Sequence, residues 1–478
     1  MGASMPTLAM ACIVLMTACN LAPKYASPEV ETTATFKEMA GWKMAQPKDA
    51  TVRGKWWSVF HESELNGLES NVANQNVAVA LANFLAARAV VQQNRSQYFP
   101  TVTSSPSVTR THASSQPSPG SPSTTSYTLN QYSLPIDASW ELDFWGRIHN
   151  SVKASSLEAQ ATLADLEGVR LTAQAEVAVD YFQLRVLDAQ KELSDATVRA
   201  YQESLKLTQV KQRTGIAAGQ DVQQAETQLN IARAQATDLG IQRAQLEHAI
   251  ATLLGKSASA FSIPFRPLAS TPALIPIGVP SQLLERRPDI AAAERRVAEA
   301  NAKIGVARAA YFPTVSLGGS GGVQGASLGG ISSGPTLVWS VGASLAQTLF
   351  DGGKRSAVTE QARAVYLGTV AGYRQTVLTA FQEVEDNLST LRILSRELQQ
   401  QNAAVLSSRN YLKLANDRYK SGIDTYLNVI TAQATLFANQ RTALNLRMQQ
   451  MTASVQLIKA LGGGWDASRT TTEAVPGI

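Results

Sequence analysis

The residues whose types could support catalysis or ligand binding are few and far apart in this chain of 478 residues. The four histidines have no partner at the spacing of metal ligands, and we expect all four to be exposed to solvent: His61, His112, His149 and His248. The glycine-rich stretch from Gly318 to Gly330 lacks the Lys-Ser/Thr pair of a phosphate-binding loop. The sequence therefore predicts no enzyme, no cofactor and no metal site.

Both cysteines, Cys12 and Cys19, lie at the start of the chain, so the remainder cannot form an internal disulfide. The stretch from Leu8 to Ala18 is apolar or small and leads directly into Cys19, which is typical of a bacterial lipobox. Residues 1–18 would then be a signal peptide, and the Cys19 thiol would carry a diacylglycerol anchor. Asn20 after this cysteine favours sorting to the outer membrane. The alternative interpretation is a short buried N-terminal helix with incidental cysteines.

Composition excludes several other classes of protein. Hydrophobic residues make up 44% of the chain and charged residues 17%, which is typical of a sequence that folds. The net charge is +5, but the basic residues are scattered among acids rather than clustered, so nucleic acid is not an expected partner. No uninterrupted apolar run reaches the length of a membrane-spanning helix, which excludes a polytopic helical membrane protein.

The elements that would position any functional residue come from an internal duplication. The segment Tyr98-Phe99-Pro100-Thr101-Val102 recurs at 311–315, an offset of 213. Aligning 205–255 with 412–462, without a gap and at an offset of 207, gives 13 identities in 51 positions. One structural unit is therefore used twice. We assign repeat 1 to residues 62–260 and repeat 2 to 288–462.

Each repeat changes its periodicity in the same order. Helical spacing ends before Pro100, and alternating apolar and polar residues then predict a strand hairpin near 100–145, with a second hairpin near 313–350. A heptad pattern follows each hairpin, over about 149–213 and 354–419, and predicts helices roughly 100 Å long. Each long helix should turn back at a glycine, near 215–221 and 422–428.

Four amphipathic strands per chain cannot close a barrel, and unpaired sheet edges in lipid are costly. Two copies would supply eight strands with a filled interior, whereas three would supply twelve with room for a lumen. We therefore predict an α+β membrane protein: a homotrimer with a twelve-stranded β-barrel, four strands from each protomer, continuous with a long α-helical coiled-coil tunnel.

Several short motifs, in this order, carry a resemblance over nearly the whole mature chain. They are Cys19 with Ala22-Pro23-Lys24-Tyr25, Trp56-Trp57 with Phe60, Arg287-Pro288-Asp289-Ile290, Ile304-Gly305 before Tyr311-Phe312-Pro313, Leu349-Phe350-Asp351-Gly352-Gly353, and Arg418-Tyr419 with Gly422. The chain resembles the TolC-like outer-membrane efflux channels, in the lipoprotein branch that pairs with resistance-nodulation-division pumps. The resemblance implies a trimer, a periplasmic tunnel, and an equatorial zone built from the region of Trp56, residues 269–280 and the C-terminal tail.

The resemblance also places functional sites at the helical turns. The periplasmic gate would involve Tyr419, Asp424, Asn428, Thr431 and Asp221, with Asn428 and Thr431 standing where related channels carry aspartates. We expect Asp424, repeated three times, to replace part of that carboxylate ring; the alternative is that Asp221 and Asp424 are helix N-caps. The tips that dock the periplasmic adaptor would be Gly215, Ile216, Gly219, Gly422 and Ile423.

The resulting domain plan has a signal peptide at 1–18, a lipidated and equatorial segment at 19–61, a linker at 261–287 and a tail at 463–478, besides the two repeats. The predicted function is a passive exit duct for drugs or other small toxic solutes, working with a periplasmic adaptor (membrane fusion) protein, an inner-membrane resistance-nodulation-division pump and outer-membrane lipid. The alternatives are a periplasm-spanning structural lipoprotein and a related duct for protein secretion. Lipid-facing strands favour a duct, because a spacer does not need them.

Overall fold

The computed structural model describes residues 20–30, 35–38, 55–114, 126–268, 287–327 and 337–464. The signal peptide, Cys19, residues 269–280 and all of the tail beyond residue 464 lie outside these ranges.

The elements follow the same order in both repeats. After a 3-10 turn at Trp56–Phe60, repeat 1 contains α1 (Ser63–Glu69), α2 (Gln75–Ser96), β1 (Thr101–Ser104), β2 (Ser107–Ser114), β3 (Ser126–Leu142), α3 (Arg147–Arg213) and α4 (Gly219–Leu253). Repeat 2 contains α5 (Pro288–Ala309), β4 (Thr314–Gly325), β5 (Leu337–Ala346), α6 (Lys354–Lys420) and α7 (Tyr426–Ala460). The bounds of α3 and α4 recur at an offset of 207 in α6 and α7, with equal lengths of 67 and 35 residues. The gapless alignment therefore reflects two helical hairpins of equal length.

The chain divides into two compact units. The first contains all the described strands, together with residues 20–28, 84–161 and 293–373. The second is helical and contains both hairpin turns, within residues 29–83, 162–292 and 374–478.

The strands of the first unit form one antiparallel sheet in the order β1/β2, β3, β4, β5. β1 and β2 pair with successive stretches of β3 and are separated at Pro106, which has no N–H to donate to a ladder. The sheet thus has four strand paths, and the two hairpins predicted from alternation are present. Beyond this prediction, β3 pairs with β4 over Tyr132–Leu142, with Trp140 opposite Leu317, so the two repeats share one sheet.

The register sorts the side chains onto two faces. One face is predominantly apolar and includes Leu134, Ile136, Trp140, Leu142, Leu317, Val323, Leu337, Trp339, Val341 and Leu345. The other face carries mainly small and polar residues, including Asp137, Ser139, Ser316, Ser320, Gln324, Ser340 and Ser344. Trp339 is 72% exposed. A sheet with this division has one side suited to lipid and one suited to water.

The second unit is organised by antiparallel helix packing. Tyr201 on α3 packs with Leu229 and Ala232 on α4, and the Gln401 side chain on α6 donates to the Asn439 carbonyl on α7 at 3.0 Å. The heptad positions predicted as the seam of α6 are buried at Val377, Val384, Leu388 and Leu391. No helix in the described part of the chain is long and apolar enough to cross a membrane.

Candidate functional site

The turns of the two helical hairpins have the same backbone geometry. Gly215 and Gly422 have φ values of 74° and 75°, in the left-handed region that favours glycine. The Ile216 N–H donates to the Lys211 carbonyl at 2.8 Å, and the Ile423 N–H donates to the Arg418 carbonyl at 3.0 Å. Both α3 and α6 thus end in a Schellman motif, which satisfies carbonyls that a helix end leaves unpaired.

This geometry exposes an isoleucine at each turn. Ile216 and Ile423 are both 68% exposed, directly after the glycine. Gly219, the fifth predicted tip residue, is the first residue of α4 and follows the N-cap residue Ala218. The five predicted docking residues therefore lie at the turns, where two large apolar side chains face solvent.

Tyr419 is only 5% exposed, and its polar partners lie on α3 of the other hairpin. Its hydroxyl lies 3.3 Å from the Thr208 hydroxyl on α3. The Lys211 ammonium donates to the Tyr419 carbonyl and lies 3.9 Å from the centre of its ring. Tyr419 also packs against Tyr426 on α7, with ring centres 5.5 Å apart. The contacts of Tyr419 thus link the C-terminal ends of the two long helices.

Asp424 belongs to a local network within the second turn. Its carboxylate accepts the Thr425 N–H at 2.8 Å and the Asn428 amide at 2.5 Å, and it pairs with the Arg418 guanidinium at 3.2 Å. The Thr425 backbone hydrogen bond, then Asn428 and Arg418, lower the pKa of the Asp424 carboxyl. Asp424 is therefore ionised, and Arg418 balances part of its charge.

The N-cap interpretation of the two aspartates is wrong. Asp221 lies in the first turn of α4, whose N-cap residue is Ala218. The N-cap residue of α7 is Thr425, and Asp424 precedes it. Thr431, the remaining gate candidate, donates its hydroxyl to the Leu427 carbonyl of its own helix at 2.9 Å.

The sequence analysis did not identify the residues of the first hairpin that contact Tyr419 and α7. Thr208 is fully buried, and Ser204 one turn earlier accepts the Gln433 amide of α7 at 2.9 Å. With Lys211, these residues recur every three or four positions on α3, a helical spacing that marks one polar stripe. This polar stripe could have predicted the contact site from the sequence, because polar residues on a heptad seam need hydrogen-bond partners.

A second candidate site lies in the sheet-containing unit, where residues 20–27 run antiparallel to α5. The Arg308 guanidinium contacts the Leu21 carbonyl at 3.4 Å, the Asn301 amide donates to the Pro23 carbonyl at 2.8 Å, and the Tyr25 hydroxyl donates to Glu294. Burial, with Glu294 beside it, raises the pKa of Tyr25. The N-terminal end of this segment, next to Cys19 in the sequence, thus lies near the C-terminal end of α5.

Gly305 permits this close approach. A Cβ built on Gly305 would lie 2.8 Å from the Ala22 methyl and from the Asn150 side chain. Any larger residue at this position would displace the N-terminal segment or Asn150.

Aromatic and apolar side chains flank the strands near the C-terminal end of α5. Trp145 stacks on Phe312 with ring centres 4.8 Å apart and donates to the Pro313 carbonyl at 2.7 Å. Phe99, just before β1, is 70% exposed, and Leu349 and Phe350, just after β5, are each 89% exposed. Aromatic residues next to an apolar sheet face are typical of a membrane–water interface.

The structure is consistent with the solvent-exposed reading of the histidines, since all four side chains are exposed. His112 contacts the Thr128 hydroxyl across β2 and β3. Within the described ranges, no group of three or more His, Cys, Asp or Glu side chains could hold a metal ion.

A sheet with one apolar face, joined in each of two repeats to a long helical hairpin, defines the class of outer-membrane channel proteins. The family model described as outer membrane efflux protein matches residues 69–256 and 279–463, one stretch for each repeat. The chain belongs to this family.

Individual relatives cover almost the whole chain. It is 33% identical over 456 residues to the probable efflux pump outer membrane protein TtgC of Pseudomonas putida. The aligned residues cover 94% of this chain and 93% of the relative. It is 32% identical to the outer membrane protein OprJ of Pseudomonas aeruginosa, with coverage of 95% and 94%. The solved outer-membrane channel OprN matches with a TM-score of 0.85 and 31% identity, over 94% of this chain and 100% of OprN. The predicted resemblance is confirmed.

Proposed function

We propose that three copies of this chain form the outer-membrane exit duct of a tripartite efflux system. The observation that carries the proposal is the sheet, which has one apolar face and ends at β1/β2 on one side and at β5 on the other. Open edges cannot face hydrocarbon, so the sheets of several copies must join edge to edge. Three copies would contribute twelve strand paths, enough for a barrel with a lumen.

Cys19 is the proposed lipid attachment site. The register of residues 20–27 on α5 supports this role, because Leu21 lies beside Arg308, six residues before β4 begins at Thr314. A lipid on Cys19 would thus be attached near the end of the sheet where Tyr311 and Phe312 precede β4. It would insert into the adjacent leaflet of the outer membrane.

The hairpin turns are the proposed docking site for a periplasmic adaptor protein, which would connect the duct to an inner-membrane resistance-nodulation-division pump. Ile216 and Ile423 supply exposed apolar contacts at tips that the Schellman motifs hold in a defined conformation. The proposed cargo is drugs or small toxic solutes. This choice is supported by relatives named as antibiotic, solvent and toluene efflux pump proteins.

The proposed gate is the polar cluster around Tyr419 and Asp424. The contacts of Lys211 and Thr208 with Tyr419 hold the ends of the two hairpins together, and separating the hairpins would break these contacts. The Asp424 carboxylate would favour cations at the aperture.

Reconstitution of the purified full-length protein tests the proposal. Light scattering in mild detergent should give the mass of three chains, and insertion into a planar bilayer should give discrete conductance steps. A monomer in mild detergent that conducts no current would contradict the duct and support a structural lipoprotein.

A further inference from the structure

A buried charge cluster lies on α3, well away from the hairpin turns. Arg185 is 1% exposed and Asp188 is 0% exposed, which is unusual for charged side chains. The Arg185 guanidinium pairs with Glu64 of α1 at 2.6 Å and with Asp188 at 3.0 Å, and it lies 4.9 Å from the centre of the Tyr181 ring. None of these residues belongs to the proposed gate, anchor or docking tips.

The cluster binds the main chain of the non-helical residues 263–268. Arg185 donates to the Pro264 carbonyl at 2.7 Å, and the Arg185 carbonyl accepts the Leu268 N–H at 3.1 Å. Asp188 accepts the Arg266 N–H at 2.9 Å. This segment forms no helix or strand of its own, so the side chains of Arg185 and Asp188 and the Arg185 carbonyl satisfy part of its peptide groups.

The long helix α4 reinforces the same contacts. Arg243 pairs with Asp188 at 2.8 Å and donates to the Ile263 carbonyl at 2.7 Å. Glu247 accepts the Ile263 N–H at 2.8 Å and pairs with Arg243 at 2.7 Å. The segment is thus held by both helices of the first hairpin.

The second repeat contains an equivalent arginine. Leu184-Arg185-Val186-Leu187 and Leu391-Arg392-Ile393-Leu394 correspond at the offset of 207 that relates the two hairpins. Arg392 of α6 pairs with Glu38, which belongs to the N-terminal non-helical residues 35–38. Glu385, also on α6, accepts the N–H groups of Lys37 and Glu38 at 2.6 and 2.9 Å.

A phenylalanine on each long helix makes an aromatic contact with a residue from the N-terminal part of the chain. Phe60, before α1, lies 4.9 Å from Phe182 on α3, measured between ring centres. Phe36 is 4% exposed and lies 6.5 Å from Phe381 on α6 in an edge-to-face arrangement. In both repeats an arginine and a carboxylate of the long helix hold a non-helical segment, and in the second repeat Phe381 also packs against Phe36 of that segment.

We propose that Arg185 and Arg392 are the positioning residues of a duplicated clasp that fastens the two non-helical segments, 263–268 and 35–38, to the middle of the two long helices. Each arginine pairs with an acid that lies outside the long helix, Glu64 or Glu38, while a carboxylate of the long helix binds peptide N–H groups of the segment. The clasp is a property of the fold, independent of trimer formation and transport. Because the two copies use separate residues, each should act on its own segment alone.

Hydrogen exchange of the full-length protein in detergent, followed by mass spectrometry, tests the proposal. Arg185→Met should speed exchange in peptides covering 261–268 by roughly tenfold or more and leave 35–38 unchanged, whereas Arg392→Met should do the reverse. Arg185→Lys should fall between Met and wild type, because one ammonium group cannot make all the contacts of a planar guanidinium. The matched controls Arg199→Met and Arg409→Met replace exposed arginines on the same two helices and should change neither segment.

Unchanged exchange at 261–268 in folded Arg185→Met, or equal acceleration of both segments by either variant, would overturn the proposal. If Arg185→Met fails to fold, Glu64→Gln removes one partner and leaves Arg185 paired with Asp188. This milder variant should still accelerate exchange at 261–268 but not at 35–38, and wild-type exchange there would equally overturn the clasp.

Discussion

Glu69 is the residue whose burial is hardest to reconcile with its charge. Its side chain is 2% exposed, and neither carboxylate oxygen has a hydrogen-bond partner among the described residues. Burial raises the pKa of Glu69 to about 9. In the folded protein this carboxyl is therefore protonated at neutral pH.

Glu69→Gln should consequently stabilise the protein at pH 7. The carboxyl ionises near 4.5 when unfolded and near 9 when folded, so its contribution to the free energy of unfolding falls as pH rises between these values. The loss at pH 7 is about 3 kcal/mol. Thermal unfolding should show a higher midpoint for the variant at pH 8 and a nearly equal one at pH 4.5. The exposed-site control Glu203→Gln should show no such difference, and a pH-independent effect of Glu69→Gln would refute the assignment.

Asp424 carries the charge proposed to select ions at the gate. Asp424→Asn should shift the reversal potential in a salt gradient towards lower cation selectivity, and Asn428→Asp should shift it in the opposite direction. The shift should be modest, because Arg418 already balances part of the charge at 3.2 Å. Single-channel recording in planar bilayers measures it. A reversal potential unchanged by Asp424→Asn would place the selecting charge elsewhere.

Lys211 should matter more for closure than the Tyr419 hydroxyl. Tyr419→Phe removes only the 3.3 Å contact with Thr208, and it keeps both the ring and the carbonyl that Lys211 contacts. Lys211→Met removes the charged hydrogen bond and the cation–π contact together. We therefore expect a larger rise in open probability from Lys211→Met than from Tyr419→Phe. The reverse order would show that the hydroxyl holds the hairpins together.

At the scale of elements, the sheet register assigns each strand residue to a face. Trp339 on β5 lies opposite Gly321, and its neighbour Ser340 lies opposite Ser320 on the other face. Trp339→Arg should place a charge in lipid at a cost of about 2–4 kcal/mol near the midplane and reduce the trimer recovered from outer membranes. Ser340→Arg, one residue away, should be tolerated, because its side chain would face the lumen of the proposed barrel. Equal recovery of both variants would mean that the facing is wrong.

The helical hairpins show why equal element lengths matter. α3 and α6 both have 67 residues and end in the same glycine turn, so the two tips of one chain share a backbone geometry although their sequences differ. The polar contacts at the tips are not duplicated. Arg418, Asp424 and Asn428 form their network in the second turn, whereas Asp221 of the first turn lies within α4.

For the whole molecule, the proposed lipid on Cys19 would be a second membrane anchor in addition to the sheet. A lipid chain gains roughly 0.8 kcal/mol for each buried CH₂ group, whereas the sheet of the proposed barrel would bury an entire apolar face in the membrane. Cys19→Ser should therefore lower the amount of assembled protein in the outer membrane but leave some efflux activity. Mass spectrometry of the mature N-terminus should find a modified Cys19 in the wild type. An unmodified chain that retains residues 1–18 in cells would contradict the anchor.

The amino-acid sequence by itself determined the duplication, the strand hairpins and the long helices. These features rest on periodicities of two and of three to four residues, which express local backbone geometry and are visible without knowledge of distant neighbours. The turns at Gly215 and Gly422 were predictable for the same reason, because a left-handed backbone at a helix end favours glycine.

Only the tertiary structure decided which distant residues meet. The pairing of β3 with β4, the contacts of Lys211 with Tyr419 and the binding of residues 263–268 by Arg185 and Asp188 join positions separated by tens to hundreds of residues. Periodicity shows that a side chain is on a buried face but does not show its partner, because the partner depends on how the elements pack. The same limit applies to the alternative interpretation of Asp221 and Asp424 as N-caps, which is wrong: their position after a glycine turn suited an N-cap, but Ala218 and Thr425 are the N-cap residues.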